Sequence, residues 1–315
     1  MTAYLVRRVG TGIVTLLLVT MITFGLMSAA PGGPAVIVSM TTTASQRAAL
    51  TAEYGLNQPV PVRYVLWLEH AVTGNLGTSF DYSEPVTSVL GQRFPNTALL
   101  AFTALALSVI IGIPLGIAAA RRRGSLLDAL ITGFSTVGLS IPDFWLGTLF
   151  IILFAVTLRW LPVSGMTTVG APVTAGNLLE HLAMPASVLC LAVLPNIVRF
   201  TRSSMATVLD LDYIRTAHAK GLAPARVLFR HALKNALIPV VSTIGLLVPA
   251  LLGGSVIVES VFAWPGMGRL AVQAATDRDY PMVMGVTIVA GVIVICTNLV
   301  VDLLYAVLDP RIQYG

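Results

Sequence analysis

Charge is scarce in this chain: Asp, Glu, Lys and Arg make up 10% of its 315 residues, against about 25% in soluble domains. So few charges cannot clothe a water-facing surface, and with 56% hydrophobic residues the chain belongs in a bilayer. There are only two cysteines, Cys190 and Cys296, each inside an apolar run, which excludes a disulfide framework and predicts free, buried thiols. Lysine occurs only as Lys220, ahead of Gly221, and Lys234, ahead of Asn235. A phosphate-binding P-loop needs Gly-Lys followed by Ser or Thr, so no P-loop is encoded. His70, His181, His218 and His231 have no carboxylate or cysteine companions, which argues against a metal site. Nothing pairs a nucleophile with a base, or two carboxylates, in a catalytic arrangement. The formal charge of +5 suits nucleic-acid or lipid binding, yet a membrane protein that keeps its basic residues on one side acquires the same balance, and that reading is preferred.

A bilayer core of about 30 Å needs about 20 apolar residues in a helix. Six runs qualify: Val9 to Ala30, Ala98 to Ala120, Thr132 to Leu158, Ala183 to Phe200, Ala236 to Val258 and Val283 to Leu308. The first exceeds the roughly 7 to 15 apolar residues of a signal peptide and reads as a retained anchor helix over 1–30. With the N-terminus in the cytoplasm, 13 of the 19 basic residues fall inside, and both termini are cytoplasmic. The expected organisation is an all-α polytopic membrane protein. It has an anchor at 1–30, an external region at 31–97 with a helix-like stretch at Val62 to Val72, and a five-helix core at 98–315.

One internal segment, Arg202 to Asn235, is too polar to cross the bilayer and too patterned to be a linker. Tyr213 to Lys220 reads as a short helix closed by Gly221, which can take a left-handed backbone. Pro224 suits the first turn of a second helix. There Arg226, Arg230 and Lys234 recur at four-residue spacing, with Val227, Leu228, Leu233 and Leu237 round the other side. Pattern alone predicts a helix, a tight turn and a second helix along the cytoplasmic face. It is compatible with an interfacial helix holding its basic face against anionic headgroups.

The spacing of Ala217, Ala219, Gly221 and the later Ile238-Pro239 resembles the cytoplasmic motif of ABC-importer permeases. In that family a coupling helix docks in a cleft of a separate ATPase. Arg215-Thr216-Ala217 stands where the generic motif has Glu-Ala-Ala; the run Arg215 to Gly221 is similar to the dipeptide, oligopeptide and nickel branch. Further stretches resemble the dipeptide permease B-type subunit: Tyr4 to Arg8, Ala30-Pro31-Gly32, Tyr54 to Pro59, Gly74 to Gly77, Ser140 to Gly147, Trp160 to Gly165, Val258 to Phe262, Trp264-Pro265-Gly266 and Asp309-Pro310-Arg311. Gly33 departs from the family's frequent acidic residue. The resemblance implies a type I ABC-importer permease fold with six transmembrane helices in a bacterial inner membrane, moving di- or oligopeptides by alternating access. It implies a homologous second permease subunit, two ATPase subunits carrying ATP and Mg, and an extracytoplasmic solute-binding protein. It assigns Asp212, Tyr213, Arg215, Ala217, His218, Ala219, Lys220, Gly221, Leu222 and Arg226 to ATPase coupling. Nickel chelates and glutathione are alternative substrates of the branch.

Ionisable residues within a bilayer cost about 2.5 to 3.5 kcal/mol at the centre, so each invites a functional reading. Asp143, directly after Pro142, suggests a broken helix beside a cavity, offering either a negative group to a peptide's amino terminus or an acceptor to nearby amides. Glu259, with Phe262 and Trp264 in a stretch that resembles the family's re-entrant outer loop, suits either a gate or an interfacial cap. Asp302, one turn after Asn298, reads as a structural hydrogen-bond centre or a subunit contact in preference to a pathway residue. Gly112 to Gly116 permits close helix approach, to a partner permease or within the chain. An ion-coupled secondary transporter is the other class to weigh; it predicts two inverted halves, whereas the loop near residue 220 is asymmetric.

Overall fold

The computed structural model describes residues 2–30 and 57–308. The expected external region, 31–97, is thus seen from 57 onward; residues 31–56, with Gly33, and the Asp309-Pro310-Arg311 stretch lie outside the described residues.

Ten helices are described. α1 (Thr2–Ala29) and α2 (Val60–Val72) are followed by α3 (Val86–Arg121), α4 (Leu126–Ser140) and α5 (Asp143–Phe150), which continues into a π-helical stretch, Ile151–Thr157. α6 (Ala175–Leu209) and the short α7 (Asp212–Ala219) come next. A turn at Pro224–Arg226 and a π stretch, Val227–Ala232, lead into α8 (Leu233–Val261); α9 (Met267–Thr276) and α10 (Tyr280–Leu308) complete the chain. Among the described residues there is no strand, only an isolated bridge between Thr78 and Pro85.

Among the described residues five helices are long and apolar enough to cross a membrane, and α4 with α5 makes a sixth if the pair, bent by 101°, is one span. The bend sits where the sequence places it. Pro142 forces Ile141 into extended backbone (φ −90°, ψ 122°), which ends α4. Pro142 itself is extended (φ −65°, ψ 136°), and Asp143 restarts the helix.

Several boundaries differ from hydropathy. α3 begins twelve residues before Ala98 because Val86 to Thr97, though more polar, is packed on one face, with Val86, Val89 and Leu90 buried. α6 runs past Phe200 to Leu209, so Arg202 belongs to a helix rather than to a loop. The second helix of the internal segment is not a separate surface element: Val227, Leu228, Ala232 and Ala236 are buried, and Pro224 to Gly253 is one continuous span. The π stretch widens one turn and lets the consecutive Val227 and Leu228 both bury. Cys190 is buried, as expected, whereas Cys296 is exposed, because a helix with a lipid-facing side leaves part of its apolar surface uncovered by protein.

The chain forms two compact units, residues 1–97 with 265–296, and 98–264 with 297–315. In the first, Val86, Leu90, Met267, Leu270 and Met282 form a buried cluster. Asp279 caps α10, accepting from the Met282 amide at 3.1 Å, and also accepts from the Ser79 hydroxyl and, at 3.2 Å, from the Asp81 amide. In the second, α3, α5, α6 and α8 share a core containing Leu100, Leu189, Val258, Phe262 and Trp264. Small residues set the spacing, since lipid offers helices no hydrophobic reason to associate. A Cβ on Gly112 would lie 2.8 Å from the Ile197 Cγ2, and one on Gly116 would lie 2.5 Å from the Thr201 Cβ and 2.8 Å from the Val198 carbonyl oxygen. The Gly112 to Gly116 stretch therefore packs within the chain, against α6.

Candidate coupling segment and membrane polar residues

α7 follows α6 after a two-residue corner. Leu211 is extended (φ −76°, ψ 147°) and its carbonyl accepts from the Ile214 amide at 3.0 Å, starting the helix. Gly221 ends it at φ +73°, a conformation that costs a side-chain-bearing residue about 1–2 kcal/mol. The Gly221 amide donates to the His218 carbonyl at 2.9 Å and the Leu222 amide to the Ala217 carbonyl at 3.3 Å.

Three-residue spacing splits α7 into two faces. Ile214 and Ala217 are buried in a cluster with Ala120, Met205, Val208, Val227, Leu228, Ala232 and Ala236, so α7 is seated on the ends of α3, α6 and the helix leading into α8. Asp212, Tyr213, Arg215, His218, Ala219, Lys220, Gly221 and Arg226 are exposed, and Leu222 is half-buried. The segment's assigned residues thus divide into an outward set and a seat: Ala217 belongs to the seat. Tyr213 is held by Asn235, whose amide nitrogen donates to its hydroxyl at 2.9 Å. Arg215 meets Asp212 at 3.3 Å, both well exposed, an ion pair of the kind worth about 0.3–0.5 kcal/mol on a helix. Arg230 and Lys234 are exposed one and two turns beyond Arg226, so the expected basic face is present. With Phe229 also exposed, the outward surface is basic and partly aromatic.

Asp143 stands half-buried at the first residue of α5. Among the described residues no amide donates to its carboxylate; the first-turn amides of Trp145 and Leu146 bond the Pro142 carbonyl instead, each at 3.0 Å. A cavity of about 240 Å³ between α3, α4 and α6 is lined by Ser135, Gly138 and Pro195 on the other side of the break, and Asp143 is not in its lining. Gly147, four residues after Asp143 and on the same face of α5, would place a Cβ 3.2 Å from the Phe262 ring. Phe262, Trp264 and Glu259 are all buried at the end of α8. Ala263 takes a left-handed backbone (φ +48°), rare for a residue with a side chain, so the chain reverses at once. The Trp264 amide then donates to the Glu259 carbonyl at 2.8 Å, and the Gly165 amide to the Phe262 carbonyl at 2.8 Å. The structure brings Phe262 to the α5 face that carries Asp143.

One pair escapes sequence reasoning. Arg202 of α6 donates from Nε to Asp128 Oδ1 at 2.5 Å and from Nη2 to Oδ2 at 2.7 Å, a bidentate contact with Asp128 only 4% exposed. Asp128 also accepts from the Gly124 amide at 3.0 Å, and its own amide donates to the Ser125 hydroxyl at 3.4 Å. The available signal is Ser125 followed three residues later by Asp128, the pattern of a helix start. Nothing local identifies Arg202 as its partner.

The described residues contain no group of three His, Cys, Asp or Glu able to hold a metal ion. Residues 112–314 match the family of binding-protein-dependent transport system inner membrane components, and residues 1–101 match that system's N-terminal membrane-component family. The chain is 43% identical over 316 residues to the oligopeptide transport system permease protein AppB of Bacillus subtilis (strain 168), covering 100% of both chains. It is 41% identical to a peptide permease protein of Brucella suis biovar 1, over 99% of each, and 40% identical to a peptide ABC transporter permease protein of Sinorhizobium fredii, over 100% of each. Among solved structures, an inward-facing form of the MetNI methionine ABC transporter matches with a TM-score of 0.58 at 20% identity, covering 72% of this chain and 99% of that one, which establishes a shared fold. The chain therefore belongs to the family of binding-protein-dependent transport system inner membrane components, as a multi-pass permease subunit.

Proposed function

We propose that the chain moves di- or oligopeptides into the cytoplasm as one permease subunit of an ATP-driven importer, and that α7 is the element its ATPase grips. The observation that carries the coupling reading is the two-faced geometry of α7: Ile214 and Ala217 seat it, while Tyr213, Arg215, His218, Lys220 and Arg226 face outward beside Gly221. A short helix so seated transmits a push to the helices beneath it. The chain has no Gly-Lys-Ser/Thr sequence, and in this reading hydrolysis, with its ATP and Mg, belongs to two partner ATPase subunits, as the family resemblance implies. In this reading both termini are cytoplasmic, a homologous second permease completes the pathway, and a solute-binding protein delivers substrate from outside. The peptide assignment is supported by three relatives named as peptide or oligopeptide permeases at 40–43% identity over essentially the whole chain. No observation favours an ion-coupled transporter.

Asp143 and the adjoining Phe262, with Glu259 and Trp264 behind it, form the pathway element of the proposal, Asp143 offering a negative group to a peptide's amino terminus. The test is reconstitution: the chain, co-purified with its second permease and ATPases into liposomes, takes up labelled peptide only with ATP and the loaded binding protein. A binding protein that held only nickel chelates or only glutathione would overturn the peptide assignment.

A further inference from the structure

Between α7 and the broken span lies a connection that the family assignment does not supply. The buried face of α7, Ile214 and Ala217, packs in one cluster with Met205 and Val208 of α6. Arg202 stands one turn before Met205 and reaches across to Asp128 in the first turn of α4. A second, exposed contact, Arg123 to Asp210 at 3.4 Å, ties the loop before α4 to the first residue of the α7 corner. α4 then runs twelve residues from Asp128 to Ser140, where the chain breaks and Asp143 begins α5.

We infer that the Asp128–Arg202 pair is a positioning clamp that makes α4 move as one body with α6 and α7, so that a push on α7 reaches the break at Ile141-Pro142. The chemistry suits a rigid tie rather than a sliding contact. Both guanidinium donors and both carboxylate oxygens are engaged in a planar fork, which fixes orientation as well as distance. The Gly124 amide and, at 3.4 Å, the Thr132 hydroxyl hold the carboxylate from the α4 side. Beyond this end α4 meets α6 through apolar side chains, Ile131 packing against the Cys190, Leu194 and Val198 cluster of α6 beside the 240 Å³ apolar cavity. Far along α4, a Cβ on Gly138 would lie 3.3 Å from the Pro195 ring. Apolar packing of this kind is non-directional, so the clamp is the contact that fixes the orientation of α4 on α6.

The inference rests on the coupling reading of α7, and its test separates the two. Removing one partner leaves a buried charge and threatens folding, so the informative variant replaces both, D128L/R202L. Spin labels at the exposed positions Leu130 and Thr207, in a background of Cys190→Ala and Cys296→Ala, report the α4–α6 distance in the complete importer in nanodiscs. The unmodified pair is expected to give a single narrow distance, the same without nucleotide and with ADP-vanadate. D128L/R202L is expected to assemble with the ATPase at wild-type amount, to show a broadened or nucleotide-dependent distance, and to lose at least tenfold in peptide uptake per ATP hydrolysed. R202K, which keeps the charge but not the fork, falls between. A narrow, unchanged distance in D128L/R202L, or unchanged uptake per ATP, overturns the clamp. Full transport by Arg226→Glu overturns the coupling reading instead and leaves the distance measurement standing.

Discussion

Replacing Gly116 by alanine adds a single methyl group where α3 crosses α6. That methyl carbon would sit 2.5 Å from the Thr201 Cβ, 2.9 Å from its Cγ2 and 2.8 Å from the Val198 carbonyl oxygen. Two of these atoms are bound rigidly to the α6 backbone, so no side-chain rotation relieves the overlap and the helices must part by roughly 1 Å to reach van der Waals separation. Overpacking of this kind costs about 1–3 kcal/mol, against which alanine recovers about 1 kcal/mol of helix propensity. Gly112→Ala meets the Ile197 Cγ2 at 2.8 Å, a side-chain atom that can yield, and is expected to cost less. Gly133→Ala, on an open face of α4 with nothing within 4 Å, isolates the propensity gain. The expected order of apparent melting temperature, read by fluorescence-detected gel filtration of the detergent-solubilised chain, is Gly133→Ala at or above wild type, then Gly112→Ala, then Gly116→Ala lowest. The net loss of about 0–2 kcal/mol corresponds to a drop of up to roughly 8 °C for a chain of this size. A Gly116→Ala protein as stable as Gly133→Ala would refute the close helix contact.

Gly221→Val forces a β-branched residue into a left-handed backbone at a cost of about 1–3 kcal/mol, and is expected to weaken ATPase capture in pull-downs several-fold while membrane insertion is unchanged. Arg226→Glu reverses an exposed charge that the fold does not use; transport and substrate-stimulated ATP hydrolysis should vanish with the chain still present at normal level by immunoblot. Asp279→Asn replaces one acceptor oxygen with a donor against the Ser79 hydroxyl and the Asp81 and Met282 amides, costing about 1–3 kcal/mol; limited proteolysis of the unit containing residues 57–97 should accelerate, and an unchanged rate would contradict the cap.

The helical class, the broken third span and the closed short helix before Gly221 were legible in the sequence because each is a local property. Hydropathy over about 20 residues sets a span, Pro142 excludes helical backbone at Ile141, and a glycine after a short amphipathic run ends a helix. The division of α7 into outward and seated faces came from the structure, which buries Ile214 and Ala217. What hydropathy missed lies where burial by protein replaces burial by lipid: the polar start of α3 at Val86 and the tail of α6 through Arg202 to Leu209 are helical because neighbouring helices cover them. The exposure of Cys296, against the buried Cys190, depends on which side of its helix meets a neighbour, and no run of apolar letters encodes that.

Composition, apolar periodicity and the Arg215-to-Gly221 motif were by themselves sufficient for a polytopic α-helical permease and for placing the proposed coupling segment near residue 220. Only the tertiary structure paired Asp128 with Arg202, set Gly112 and Gly116 against α6 rather than another subunit, and laid Phe262 on the Asp143-bearing face of α5. The reason is range: helix formation and membrane insertion are decided within a few turns, whereas the partner of a buried carboxylate 74 residues away is decided by how finished helices pack.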